Sequence, residues 1–187
     1  MIDRMRDLSR RTLIQSAAFV PLAALTLPAQ QQSALTPQQM KTLTAFIDRL
    51  IPRDELGPGA VDAGAQIYID GVLAGPNAGE KETFAQGLEE LDAAARKMHG
   101  AAFADTSPQQ RDEVITEMLS TAFFNRARRL TLEGMFGDPY YGGNRNFAGW
   151  DLIRYPGPRP AVAAEDQRLN IEIKPYRVSA WGSKYGH

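Results

Sequence analysis

Apolar positions recur at helical spacing through the middle of the chain and lose that spacing towards its end. Met40, Leu43, Ile47 and Leu50 make one stripe. It is opened by Thr36-Pro37-Gln38-Gln39, where Thr36 can cap, Pro37 suits the first turn and Gln39 completes a capping box. Pro52 ends this helix, and Gly57-Pro58-Gly59 punctuates a loop over 53–59. A second helix is predicted over 60–73, with Val61, Ala65, Tyr68, Ile69, Val72 and Leu73 on one side, broken by Gly75-Pro76-Asn77. A third covers 80–98, with Phe84, Leu88, Leu91, Ala95 and Met98 inward and Gly100 as its stop. Ser107-Pro108-Gln109-Gln110 repeats the Thr36 device and starts a fourth, with Val114, Ile115, Met118 and Leu119 inward. The run over 120–133 keeps the pattern: Phe123, Phe124, Ala127 and Leu130 inward, Arg126, Arg128 and Arg129 outside, and Gly134 as the end. From Phe136 the helical period is gone. Gly, Pro and aromatic residues dominate to Pro160, with short extended pieces expected at 151–155 and at 169–173, where Leu169, Ile171 and Ile173 alternate. The predicted fold is mainly α, a small helical bundle of about four to five helices with a long irregular C-terminal arm.

The first 29 residues follow another pattern. Arg4, Arg6, Arg10 and Arg11 outweigh Asp3 and Asp7 and precede an apolar run over 13–27 that Pro21 interrupts. The run is shorter than the roughly 20 residues of a spanning helix, so the segment reads as an export signal. Ser9-Arg10-Arg11-Thr12-Leu13-Ile14 resembles the twin-arginine motif, departing at Gln15, where Lys is usual. Arg10 and Arg11 are its candidate recognition residues, and that route implies folding before export. Leu27-Pro28-Ala29 is the candidate cleavage site, although it is not a clean small-x-small pattern.

The chain has 187 residues, 43% hydrophobic, with a net charge of −1, enough for one packed domain and without the basic excess of a nucleic-acid binder. Cys is absent, which excludes disulfides, thiol catalysis, Cys-ligated metal centres and haem attachment through C-x-x-C-H; two His leave little for a His-based metal site. Gly57-Pro58-Gly59-Ala60-Val61-Asp62 starts like a dinucleotide fingerprint but carries Asp62 where the third Gly belongs, and no strand precedes it. A loop leading into a helix is the simpler account. Glu133 and Asp138 flank Gly134 and suggest a carboxylate pair for glycoside hydrolysis, or merely cap and turn residues. His99 reads as a cation at a helix C-terminus.

The segment over 134–153 is the informative one. Gly142-Gly143-Asn144 can reach positive φ and make a tight reversal. Tyr140, Tyr141, Phe147 and Trp150 surround it, either as a local core or as a surface that anchors a partner. Arg145 adds a planar donor.

This segment resembles the small-subunit family of gluconate 2-dehydrogenase, subunit 3. Thr131 to Gly134, Phe136, Pro139, Tyr141 to Arg145, Gly149-Trp150, Leu152-Ile153 and Pro156-Gly157 match its pattern; Arg154 departs, standing where Gly is usual. Ile51-Pro52-Arg53-Asp54, Pro58-Gly59-Ala60 and the twin-arginine leader match as well, so the similarity covers about 9–160. The chain then divides into a signal segment over 1–29, a subunit 3-like domain over 30–160 and a C-terminal extension over 161–187.

The resemblance implies a non-catalytic subunit that binds no cofactor itself. Its expected partners are a large FAD-dependent dehydrogenase of the glucose–methanol–choline (GMC) type and, in some complexes, a c-type cytochrome subunit carrying haem. The small subunit supports export, folding and stability of the large one, in the periplasm; membrane association is expected only through the complex or an uncleaved leader. Tyr140, Tyr141, Gly142, Gly143, Asn144, Arg145 and Trp150 are the candidate partner-binding residues. Two other classes stay open: a free-standing exported enzyme acting on carbohydrate through acidic residues, and an exported binding module without a redox partner.

Overall fold

A computed structural model describes residues 33–159, 164–168 and 174–182. Six α-helices occur among them: α1 (Pro37–Leu50), α2 (Ala65–Ala74), α3 (Lys81–His99), α4 (Pro108–Met118), α5 (Ala122–Phe136) and α6 (Ala148–Leu152), with no strand. The fold is mainly helical, as the periodicity predicts. The leader with Arg10 and Arg11, and the piece at 169–173, lie outside the described residues.

The capping boxes form as written in the sequence. The Gln39 N–H donates to Thr36 Oγ1 and the Thr36 N–H to Gln39 Oε1; Ser107 and Gln110 repeat the exchange at α4. Leu43, Phe46 and Ile47 of α1, Ile69 and Leu73 of α2, Leu88 and Leu91 of α3, Val114 of α4 and Leu130 of α5 are buried in one core. Phe123 joins α5 to it: its ring lies 5.7 Å from Phe46 and 5.3 Å from Phe84, and its side chain seats on Gly87, where a Cβ would come within 2.1 Å. Asp92 is the buried polar tie of this bundle. Its Oδ1 accepts from Thr42 Oγ1 at 3.1 Å and from the Phe103 N–H at 3.0 Å, locking α3 to α1 and to the turn before α4.

Several expectations are corrected. The second helix starts at Ala65, not residue 60. Residues 60–64 form a separate turn in which the Ala65 N–H donates to the Ala60 carbonyl, and Gly64 holds a φ of 76° that no helix can continue. The helical run after Ser107 breaks at 119–121, because Thr121 caps a new helix by accepting from the Phe124 N–H. Leu119 is therefore exposed, and Met98, in the last turn of α3, is exposed as well. Gly134 does not end α5. It lies buried within it, where α5 crosses α2 so closely that a Cβ would sit 2.9 Å from Ala65 Cα. Residues 151–155 are not extended: Asp151 and Leu152 end α6, and Ile153 and Arg154 turn. A lone extended piece has no neighbouring strand here to take its backbone donors, whereas the short helix satisfies them internally.

Candidate functional site

The two stretches that carry the resemblance meet in space. The Ala60 N–H donates to the Ile51 carbonyl, and Asp54 and Gly57 exchange both backbone hydrogen bonds, so residues 51–60 fold into a strap. Asp62 closes it, accepting from the Gly59 N–H at 2.8 Å and from Arg53 Nη2 at 2.5 Å. The Arg53 guanidinium, helped by the Gly59 N–H, holds the Asp62 carboxyl below the usual carboxylate range. The 137–157 segment lies against this strap: the Arg145 N–H donates to the Ala63 carbonyl at 2.9 Å, the Arg145 side chain covers Gly64, and Leu152 abuts Gly57. The N–H groups of Gly57, Gly59 and Ala60 are all bound internally, so this glycine-rich turn does not fit the pyrophosphate of a dinucleotide.

Asn144 organises the aromatic segment. It is fully buried, with a φ of 45°. Its N–H donates to the Gly134 carbonyl at 2.7 Å, its Nδ2 to the Gly137 carbonyl at 2.8 Å, and its Oδ1 accepts from the Gly149 N–H at 2.8 Å. One side chain thus joins the end of α5 to the start of α6. The preceding residue must be Gly: a Cβ on Gly143 would stand 2.1 Å from the Gly134 carbonyl oxygen. Gly149 likewise faces the Met135 carbonyl, at 1.9 Å from an added Cβ. Positive φ at Asn144, Asn146 and Phe147 concentrates backbone strain in a few residues, each such non-Gly position costing on the order of 1 kcal/mol.

The seven candidate residues divide into two groups. Trp150, 6% exposed, packs between Phe147 and Tyr155, at 5.4 and 5.0 Å between ring centres, and donates its indole N–H to the Phe136 carbonyl at 2.9 Å. Gly143 and Asn144 are buried with it, Gly142 turns at a φ of 97° and is half-buried, and Tyr140 sets its ring edge-on to Tyr141. Tyr141, 54% exposed, and Arg145 face solvent, and Arg145 makes no ion pair with a described residue. Sequence reasoning missed Asp62, Ala63 and Gly64 as the seat of this segment. The Gly64 φ was the signal to find, but a lone Gly within a helical pattern does not announce it.

Glu133 and Asp138 serve different places. Glu133 accepts from Arg129 Nε at 2.8 Å and from the Tyr68 hydroxyl at 3.1 Å, lining a groove of about 760 Å³ between α2 and α5. Burial, reinforced by the Glu133 charge, pushes the Tyr68 hydroxyl up to about 12. Asp138 instead accepts from the N–H groups of Tyr140 and Ala180 and lines a second cavity, of about 420 Å³, beside Trp150. Each carboxylate is a structural acceptor, and the two do not share a cavity. His99 sits in the last turn of α3, its Nε2 3.3 Å from Glu113. No group of three or more metal-ligating side chains occurs among the described residues, and no helix among them is long and apolar enough to cross a membrane.

Residues 37–157 match the family described as Gluconate 2-dehydrogenase subunit 3, and the chain belongs to that family. No curated protein and no solved structure matches it.

Proposed function

As a member of the gluconate 2-dehydrogenase subunit 3 family the chain is a subunit of an oxidoreductase complex, and we propose that it is the non-catalytic small subunit of a periplasmic, FAD-dependent dehydrogenase acting on a sugar or sugar acid. The large GMC-type subunit holds FAD, and a c-type cytochrome subunit takes the electrons where one is present. This chain supplies the twin-arginine signal through Arg10 and Arg11 and carries the folded large subunit with it.

The observation that carries the reading is the family match over a segment built for presentation. Residues 137–157 are fixed from within by Asn144, Gly143 and Trp150, which leaves Tyr141 and Arg145 displayed on a stiff backbone. Preorganised display lowers the ordering cost of association. The occupied state of Glu133 and Asp138 favours this reading over a hydrolase that needs two free carboxylates. The test is purification of the native complex through a tag on this chain, with its mass and absorbance. A flavin spectrum and sugar-acid oxidation that co-purify with the chain are expected. They should fail to reach the periplasm when Arg10 and Arg11 are both changed to Lys. A periplasmic flavoprotein of normal activity in that variant overturns the export role.

A further inference from the structure

At the end of the family segment and along the described part of the C-terminal arm, a set of apolar side chains is left uncovered. Ile153, Tyr155, Tyr176, Val178 and Trp181 are between 41 and 66% exposed. They are neighbours. Ile153, Tyr155 and Trp181 border the 420 Å³ cavity beside Trp150, and the Tyr176 N–H donates to the Pro156 carbonyl at 2.6 Å, next to Gly157. Gly157, with a φ of 90°, lets the arm approach so closely that a Cβ there would lie 2.1 Å from the Tyr176 oxygen. The described stretch over 174–182 makes polar contacts to the family segment: Arg177 to Asp151 at 2.6 Å, and the Ala180 N–H to Asp138 at 2.8 Å.

We propose that this strip docks on the large subunit of the complex, against an apolar face that presents a carboxylate to Arg154. The inference rests on the proposed function and adds the surface and its chemistry. Two arguments select the occupant. The first is area. Five side chains of ordinary size at these exposures leave on the order of 500 Å² uncovered, as much as the largest patch on a typical monomer and most of the ~800 Å² per partner of a standard interface. The cavity beside Trp150 offers a socket for one partner side chain. The second is charge. Arg154 lies between Ile153 and Tyr155, is exposed, makes no ion pair with a described residue and holds a strained φ of 54°. A second copy related by two-fold symmetry would bring two such cations together at the strip, whereas an acidic partner complements them.

The experiment measures dissociation of the full complex, with this chain carrying Ile153→Asp and Trp181→Asp together. Both side chains are exposed, so the variant should melt within about 2 °C of the wild type when alone. Its Kd for the large subunit should rise by about 100-fold or more. Arg154→Glu should weaken binding about tenfold, with a smaller response to salt. Met98→Asp and Leu119→Asp, exposed apolar positions elsewhere, should leave Kd unchanged. An unchanged Kd in the double variant overturns the surface assignment while the proposed function stands. A wild-type chain that binds no flavoprotein subunit overturns the proposed function itself. An isolated wild-type dimer that Trp181→Asp converts to monomer assigns the strip to a second copy and overturns the proposal.

Discussion

Asp92 and Asn144 are both buried polar ties, yet they serve regions built on different principles. Around Asp92, in the bundle, side chains fill the space between helices: Phe46, Leu88 and Leu91 are in the core, and Phe123 occupies the notch at Gly87. Around Asn144 it is backbone that is buried against backbone. Gly143 meets Gly134, Gly149 meets Met135, and one amide side chain satisfies what those contacts leave over. Side-chain packing tolerates volume-conserving exchange. Backbone packing does not, because the smallest possible addition, one Cβ, already collides. The bundle is therefore a scaffold that many sequences could build, and the 137–157 segment is a shape that few could.

The largest effect that sharpens this contrast is expected at Trp150. Trp150→Ala removes the packing around Phe147 and Tyr155 and the bond to the Phe136 carbonyl, and should destabilise the isolated chain by about 3–5 kcal/mol in urea melts. Trp181→Ala, at an exposed site, should cost it less than about 0.5 kcal/mol. Equal losses would erase the distinction between an internal and an external aromatic. Next comes Gly143→Ala, expected to cost about 3 kcal/mol because the obstacle is a carbonyl oxygen that cannot step aside. Gly79→Ala, where nothing lies within 4 Å of the added Cβ, should be neutral within ~0.5 kcal/mol. A well-folded, unshifted Gly143→Ala chain by melting and proton spectra would break the backbone-packing account.

A smaller, pH-dependent effect comes from the groove beside the segment. Tyr68 stays neutral to about 12 when folded, while an unfolded Tyr ionises near 10. Between those pH values the unfolded chain releases a proton that the folded chain keeps, so stability falls as pH rises through that window. Tyr68→Phe should remove this part of the alkaline loss, at a cost of about 1 kcal/mol below pH 9 from the lost hydrogen bond to Glu133. The smallest effect is a gain. Arg154→Gly relieves a left-handed φ and should stabilise the isolated chain by up to about 1 kcal/mol, visible as a rise of a few degrees in Tm, while weakening the complex. A lowered Tm would show that the arginine side chain holds the turn.

What the sequence determined by itself is the bundle. Thr36 and Ser107 each place a cap, Pro37 and Pro108 open a first turn, and the apolar stripes from Leu43 to Leu130 fall inside except at Met98 and Leu119, because these signals act over three or four neighbouring residues. It also located the aromatic segment, through Gly142-Gly143-Asn144 and the family pattern. What only the tertiary structure decided is how that segment is used. Gly134 reads as a helix stop and is a crossing point, since its role depends on Ala65 and on Gly143 arriving from elsewhere in the chain. Gly64 reads as helix interior and is a left-handed turn covered by Arg145. Residues 151–155 read as extended and hold the end of α6, whose first turn is anchored by Asn144. The aromatic residues read equally as core or surface, and the fold separates them, Trp150 inward and Tyr141 outward. In each case the deciding atom lies outside the helical or extended pattern being read, on a neighbouring turn or on a distant part of the chain, and that pattern carries no information about it.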